Sequence, residues 1–134
     1  MKTMLRIGFC IWLCFTAAAA HGQCDTVYTP EASGCAYTPG QDSLMRFMKQ
    51  QLIPVLQKLP EAEKQRITKL LVVMTVDAQG KIIDIHLPHF TGPPSALQEL
   101  KKRIAAMQGW STGQVNGKAV CTEVFWGMNC VVWE

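Results

Sequence analysis

Charge is scarce in this chain. Of its 134 residues, 13 are Lys or Arg and 10 are Asp or Glu, so charged side chains make up only 17%. A formal net charge of +3 at this length supplies no basic face of the kind nucleic acid needs. The run Lys101-Lys102-Arg103 reads as the wet face of a helix instead. Long hydrophobic runs are also missing. A membrane-spanning helix takes about 20 apolar residues, whereas the longest uncharged apolar run, Ile7–Ala20, stops at 14. The chain has no Cys-x-x-Cys and no clustered Cys/His spacing, which removes the usual zinc sites. It has no Gly-rich phosphate loop and no carboxylates paired at a useful spacing. No motif surrounds a Ser or Cys nucleophile. Ser43, Ser95 and Ser111 fall at expected helix boundaries, where capping accounts for them. His86 and His89 flank Leu87-Pro88, with Asp84 close by. On a regular strand Asp84 and His86 share a face and can form a carboxylate–imidazole pair, but polar residues on the open side of a hairpin are the preferred explanation. The expectation is a non-enzymatic protein with no catalytic residue, no metal and no cofactor.

The N-terminus is distinctive. Lys2 and Arg6 precede the apolar run, which ends in Ala17-Ala18-Ala19-Ala20-His21-Gly22-Gln23. Charge, a short apolar stretch and small residues at Ala20 and Gly22 make a secretion signal, residues 1–22, with Gln23 as the new first residue. The alternative is a retained anchor, in which case the membrane becomes a partner. Lipidation at Cys24 is poorly served by His21-Gly22-Gln23. Removal of Lys2 and Arg6 lowers the net charge from +3 to about +1. The expected location is the periplasm or beyond. The remaining 112 or so residues suffice for one domain that buries roughly 65% of its unfolded surface.

Cysteine is the positive signal in this remainder. Cys10 and Cys14 leave with the signal, and Cys24, Cys35, Cys121 and Cys130 stay. An even number in a small exported domain points to disulfides. Cys121 and Cys130 are nine residues apart on what reads as one strand, roughly 30 Å if extended. A disulfide needs its Cα atoms about 6 Å apart. Two arrangements remain open. Residues 24–35 run beside the last strand and are clamped to it at both ends, or Cys24–Cys35 closes a local loop while Cys121 and Cys130 pair across a bend at Gly127.

Residues 23–43 form a turn-rich segment, with room for a short strand around Asp25–Thr29. Asp42 or Ser43 then caps a helix whose apolar residues, from Leu44 through Phe47, Met48, Leu52, Val55 and Leu56 to Leu59, recur at steps of three and four. Pro54 falls inside this pattern and is expected to kink the helix or end it near Ile53. Pro60 opens a second piece, Glu61–Thr68. Leu70–Val76 is a strand by composition, Asp77-Ala78-Gln79-Gly80 is a turn, and Lys81–Leu87 is the returning strand. Ser95 caps a helix with Leu97, Leu100, Ile104 and Met107 on its apolar face, ended by Gly109. After the Asn116-Gly117 turn the chain closes on a β-rich run, Ala119–Trp133. Residues 44–134 therefore read as one α+β domain: a small three-stranded antiparallel sheet with two helices packed on one face.

At this point the chain resembles the C-terminal domain of the TonB family of periplasmic energy transducers. The residues that carry the resemblance are Tyr37-Thr38-Pro39-Gly40 leading into the first helix, the hairpin Val73–Ile82, and the run from Leu100 through Trp110 to Asn116-Gly117-Lys118-Ala119-Val120. The resemblance implies the order α-β-β-α-β. It further implies that the last strand is a sheet edge that accepts an extended peptide by strand addition. Carried onto this sequence, that edge is Val120, Thr122, Val124, Trp126, Val131 and Trp133, and the partner is an envelope protein or extended peptide, of which a TonB-dependent transporter is the family's example. Trp110 marks a second possible contact region. The family's long proline-rich spacer has no counterpart here, so what carries over is an interaction module and not energy transduction. The competing expectation is a structural or accessory protein of the envelope whose edge is sealed by its own disulfides.

Overall fold

In the computed structural model of the chain, residues 24–128 are described. The signal-like residues 1–22 and the positions Cys130, Val131 and Trp133 lie outside this range. The central pair of strands, β2 (Leu70–Val76) and β5 (Lys118–Met128), runs antiparallel with an unbroken register from Leu70↔Met128 to Val76↔Thr122. Strand β3 (Ile82–His86) flanks β2 on the other side. These three strands, the helix before them and α5 (Pro94–Ala105) are the expected α+β arrangement.

The sheet itself differs from the expected three antiparallel strands: it is five-stranded and mixed. The turn-rich segment contributes β1 (Val27–Tyr28), which lies parallel to β5 at Cys121 and Thr122. A short β4 (Gly113–Val115) folds back on the start of β5 around the Asn116-Gly117 turn, where Asn116 and Gly117 both have positive φ. Both additions are two or three residues long. A strand so short has no readable alternation, and its pairing is fixed by tertiary contacts.

The first helix is a three-part rod. It runs as α2 (Gln41–Phe47), a π-helical turn (Met48–Leu52) and α3 (Ile53–Gln57). Pro54 does not end it. Proline has no N–H to offer the carbonyl four residues back. The chain widens just before it instead, and the Ile53 N–H reaches the Met48 carbonyl, a bond of π spacing. Leu44, Met48, Leu52 and Leu56 are all buried and keep one stripe along the rod. The cap is Gly40 rather than Asp42 or Ser43. The piece after Pro60 is shorter than expected, α4 (Glu61–Lys64). Helix α5 begins at Pro94, whose missing N–H costs nothing at a first helical position, so Ser95 sits inside the helix and does not cap it.

One core joins these elements. Leu70, Val72, Met74 and Val76 of β2 alternate into it. They meet Met48, Leu52 and Leu56 from the rod, Leu100 and Ile104 from α5, and Val124 and Trp126 from β5. Each fully buried Leu or Ile contributes about 2 kcal/mol by leaving water. Arg103 ties the helices together, donating to Glu99 on its own helix and, through Nη1, to the Gln51 carbonyl of the π turn at 2.9 Å. Its guanidinium holds the Glu99 carboxyl below the ordinary range.

The β2–β3 turn is fixed by Asp77, which is buried. Its Oδ1 accepts from the Gln79 and Lys81 N–H groups at 2.8 and 2.9 Å, and Gly80 takes φ 82°. Asp77→Ala orphans both donors and is expected to cost about 2 kcal/mol. Asp77→Asn retains an acceptor oxygen and should keep most of that stability. Urea denaturation of both variants checks the difference.

Candidate functional site

Strand β5 has two edges, and they are used differently. One is paired with β2 along its length from Thr122 to Met128. On the other, β1 supplies partners only at Cys121 and Thr122. The chain then turns away into α1 (Pro30–Ser33), whose start is set by Thr29, since its hydroxyl accepts from the Ala32 N–H. Pro30 cannot continue a ladder, because it has no N–H to give. From Glu123 onward this edge of β5 has no strand beside it among the described residues.

The N-terminal segment is held at this turning point by several bonds. Cys24 is joined to Cys121, with Cα atoms 6.0 Å apart. Ser33 and Thr122 share a hydroxyl–hydroxyl bond of 2.6 Å in the interior. Farther along, the Thr38 N–H and hydroxyl both donate to the Gly109 carbonyl at 2.8 Å, and the Ser111 N–H donates to the Ala36 carbonyl at 2.8 Å. The disulfide matches one end of the clamp and excludes the local Cys24–Cys35 loop, but the second end, a disulfide at Cys35, is not formed. Strands that run side by side bring Cys24 to Cys121, while a Cys24–Cys35 link would pull the segment off β5. Cys35 is a buried free thiol that donates to the Ser111 carbonyl at 3.0 Å. Burial pushes this thiol up from its ordinary value, which keeps it protonated and a weak nucleophile.

The structure places the expected edge residues as follows. Thr122, Val124 and Trp126 are buried and point into the core. Val120 is half-buried and pairs with Gly113 of β4. Val131 and Trp133 lie outside the described residues. Alternation along the strand therefore sends Glu123 and Phe125 outward. Phe125 is 63% exposed, and with Val27 at 47% it completes the exposed large hydrophobics among the described residues. Phe125 stands opposite Val73 in register, beside half-buried Leu71 on the same outer face.

Two hollows open on either side of Phe125 and Pro30. The first, about 320 Å³, is bounded by Tyr28, Glu31, Glu123 and Phe125. The second, about 410 Å³, is walled by Tyr37, Trp110, Trp126 and Cys35. Its aromatic wall is continuous. Tyr37 and Trp110 have ring centroids 5.2 Å apart, Trp110 and Trp126 6.4 Å, and half-buried Phe47 meets Trp126 edge-on at 6.2 Å. The indole N–H groups of Trp110 and Trp126 are buried without a hydrogen-bond partner.

The polar residues of β3 come together less well than a regular strand implies. A bulge offsets the β2–β3 register between Val73↔His86 and Thr75↔Ile83, and Asp84 sits there at φ 50°. The extra residue breaks the two-residue alternation that puts Asp84 and His86 on one face. Both are exposed, as is His89. Among the described residues, no three His, Cys, Asp or Glu side chains are grouped to hold a metal ion. No family model, curated protein or solved structure matches the chain.

Proposed function

We propose that this chain is an exported, non-enzymatic interaction module that takes an extended peptide, or an extended segment of an envelope protein, onto the open edge of β5. The observation that carries the reading is the edge itself. Among the described residues, strand β5 has no strand along its outer side from Glu123 onward, and the most exposed large hydrophobic side chain, Phe125, stands on it. Soluble proteins normally cover, twist or charge such an edge, and strand addition gives it main-chain hydrogen bonds plus side-chain contacts at alternate positions. The order rod, β2, β3, α5, β5 is the order implied by the TonB-domain resemblance, which proposes a transporter's extended segment as one partner. The reading rests on the edge and not on kinship. The Cys24–Cys121 bridge is compatible with an oxidising compartment, which suits a periplasmic or secreted location.

A second reading has its own observation. Strand β1 and its disulfide already occupy the edge at Cys121 and Thr122, as a sealed accessory protein requires. The two readings separate on Phe125. Phe125→Ser alters an exposed side chain, so the unfolding free energy should stay within about 0.5 kcal/mol of the parent. Strand addition predicts that this variant captures at least several-fold less of its partner from an envelope extract. A sealed protein predicts no capture by either form. Val124→Asp and Trp126→Asp are poor probes, because both side chains lie in the core and their loss reports on stability.

A further inference from the structure

The free edge starts at a place with definite electrostatics. The hollow between β1 and β5 holds two carboxylates, Glu31 from α1 and Glu123 from β5, and among the described residues no Lys, Arg or His lines it. Both side chains are exposed, and neither has an ion pair among the described residues. Phe125 follows Glu123 on the same outward face, two residues on. A strand laid along this edge presents its own alternate side chains to that face in the same step.

We infer, on the footing of the strand-addition reading, that the edge selects an extended segment with a basic side chain and an apolar side chain two residues apart. The basic group sits between Glu31 and Glu123, and the apolar group covers Phe125. Charge complementarity of this kind fixes register and rejects the wrong sign. An arginine satisfies both features of the hollow, since its guanidinium can bridge carboxylates and lie over the neighbouring Tyr28 or Phe125 ring. A partner with an acid at that position meets two like charges.

The test uses the oxidised protein and three fluorescein-labelled synthetic peptides of about ten residues. They share an alternating Thr-Val sequence and differ at one central position, which is Arg, Gln or Glu. Binding is followed by anisotropy at low and high salt, and the state of the free protein by sedimentation. The expected result is a monomer that binds the Arg peptide about tenfold more tightly than the Glu peptide. That preference should collapse in high salt and in the Glu31→Gln, Glu123→Gln double variant, which touches only exposed side chains. Equal affinity for all three peptides would overturn the charge selectivity and leave strand addition standing. Binding of none of them would overturn strand addition itself. A dimer that dissociates when Phe125 is replaced, or peptide binding that appears only after removal of residues 129–134, would assign the edge to a second copy or to the chain's own end, and would likewise overturn the inference.

Discussion

Reduction of the Cys24–Cys121 disulfide is expected to remove about 4 kcal/mol of stability. The bridge spans 97 residues, nearly the whole described chain. Closing so long a loop strips the unfolded ensemble of conformational freedom, and the loop-entropy scale puts a closure of this size between about 4 and 5 kcal/mol. Few alternatives exist for holding β1 in place. It is two residues long and pairs at only two positions, too little to dock by itself. Denaturation of the Cys24→Ser, Cys121→Ser variant beside the oxidised parent measures the loss. A domain of this size holds about 5–15 kcal/mol in total, so the variant should be folded but weakened. A change below about 1 kcal/mol would show that the N-terminal segment is already restrained in the unfolded chain or is held chiefly by the Ser33–Thr122 and Thr38–Gly109 contacts. The bridge also bears on function. Without it β1 can leave, which would lengthen the open edge by Cys121 and Thr122. The same variant should therefore still bind extended peptide but lose much of its preference for Arg over Glu, because Glu31 leaves the hollow with β1.

The second large effect belongs to Gly127. It pairs with Leu71 near the end of the β2–β5 ladder, and a Cβ there would run into the Leu70 carbonyl oxygen and come within 2.8 Å of the Leu71 Cα. These obstacles are backbone atoms of the central strand and cannot swing aside as a side-chain tip can. Gly127→Ala is expected to cost about 3 kcal/mol, the upper range for overpacking, with the strain taken up by separation of β5 from β2. Gly117→Ala makes the useful contrast. No atom stands within 4 Å of its added Cβ, and only the positive φ of the turn opposes it, at about 1 kcal/mol. Thermal unfolding of the two variants should rank them in that order. Equal losses would mean that the β2–β5 contact at Gly127 relaxes more freely than its geometry implies.

Much of the fold was legible because its signals are local and repeated. Strand Leu70–Val76 was placed at its observed limits, since a run of Leu, Val and Met flanked by turn residues has few other solutions. The stripe through Leu44, Met48, Leu52 and Leu56 and the face through Leu100 and Ile104 were read correctly from spacing alone. The errors sit where geometry depends on distant partners. Pro54 was expected to kink the helix or end it near Ile53; the helix does not end there, because the π turn ahead of it absorbs the missing N–H. Asp84 and His86 were placed on one face because nothing local announces the bulge. Strand β1, by contrast, falls within the short strand expected around Asp25–Thr29 and lies beside the last strand, the first of the two arrangements the cysteines leave open.

The site was half legible. The last strand is not the outermost one, since β1 lies outside it at Cys121 and Thr122 and leaves it open only beyond them among the described residues, and of the residues expected on its edge Thr122, Val124 and Trp126 point inward. The chosen set followed apolar density, and density marks the core. Alternation alone would have sent Glu123 and Phe125 outward once any one inward neighbour was fixed. The carboxylate pair that gives the hollow its sign comes from segments 92 positions apart, and only the fold brings them together.

Hydrogen exchange of the β5 backbone amides, read residue by residue with and without the Arg-containing peptide, tests the central claim most directly. In the free protein, alternate amides from Glu123 to Gly127 should be protected by β2, while those between them, which face the open edge, exchange quickly. Addition of peptide should slow this second set and leave the first unchanged, because strand addition closes only the outer ladder. Uniform protection of Glu123–Gly127 in the free protein, or fast amides that the peptide never slows, would contradict the account.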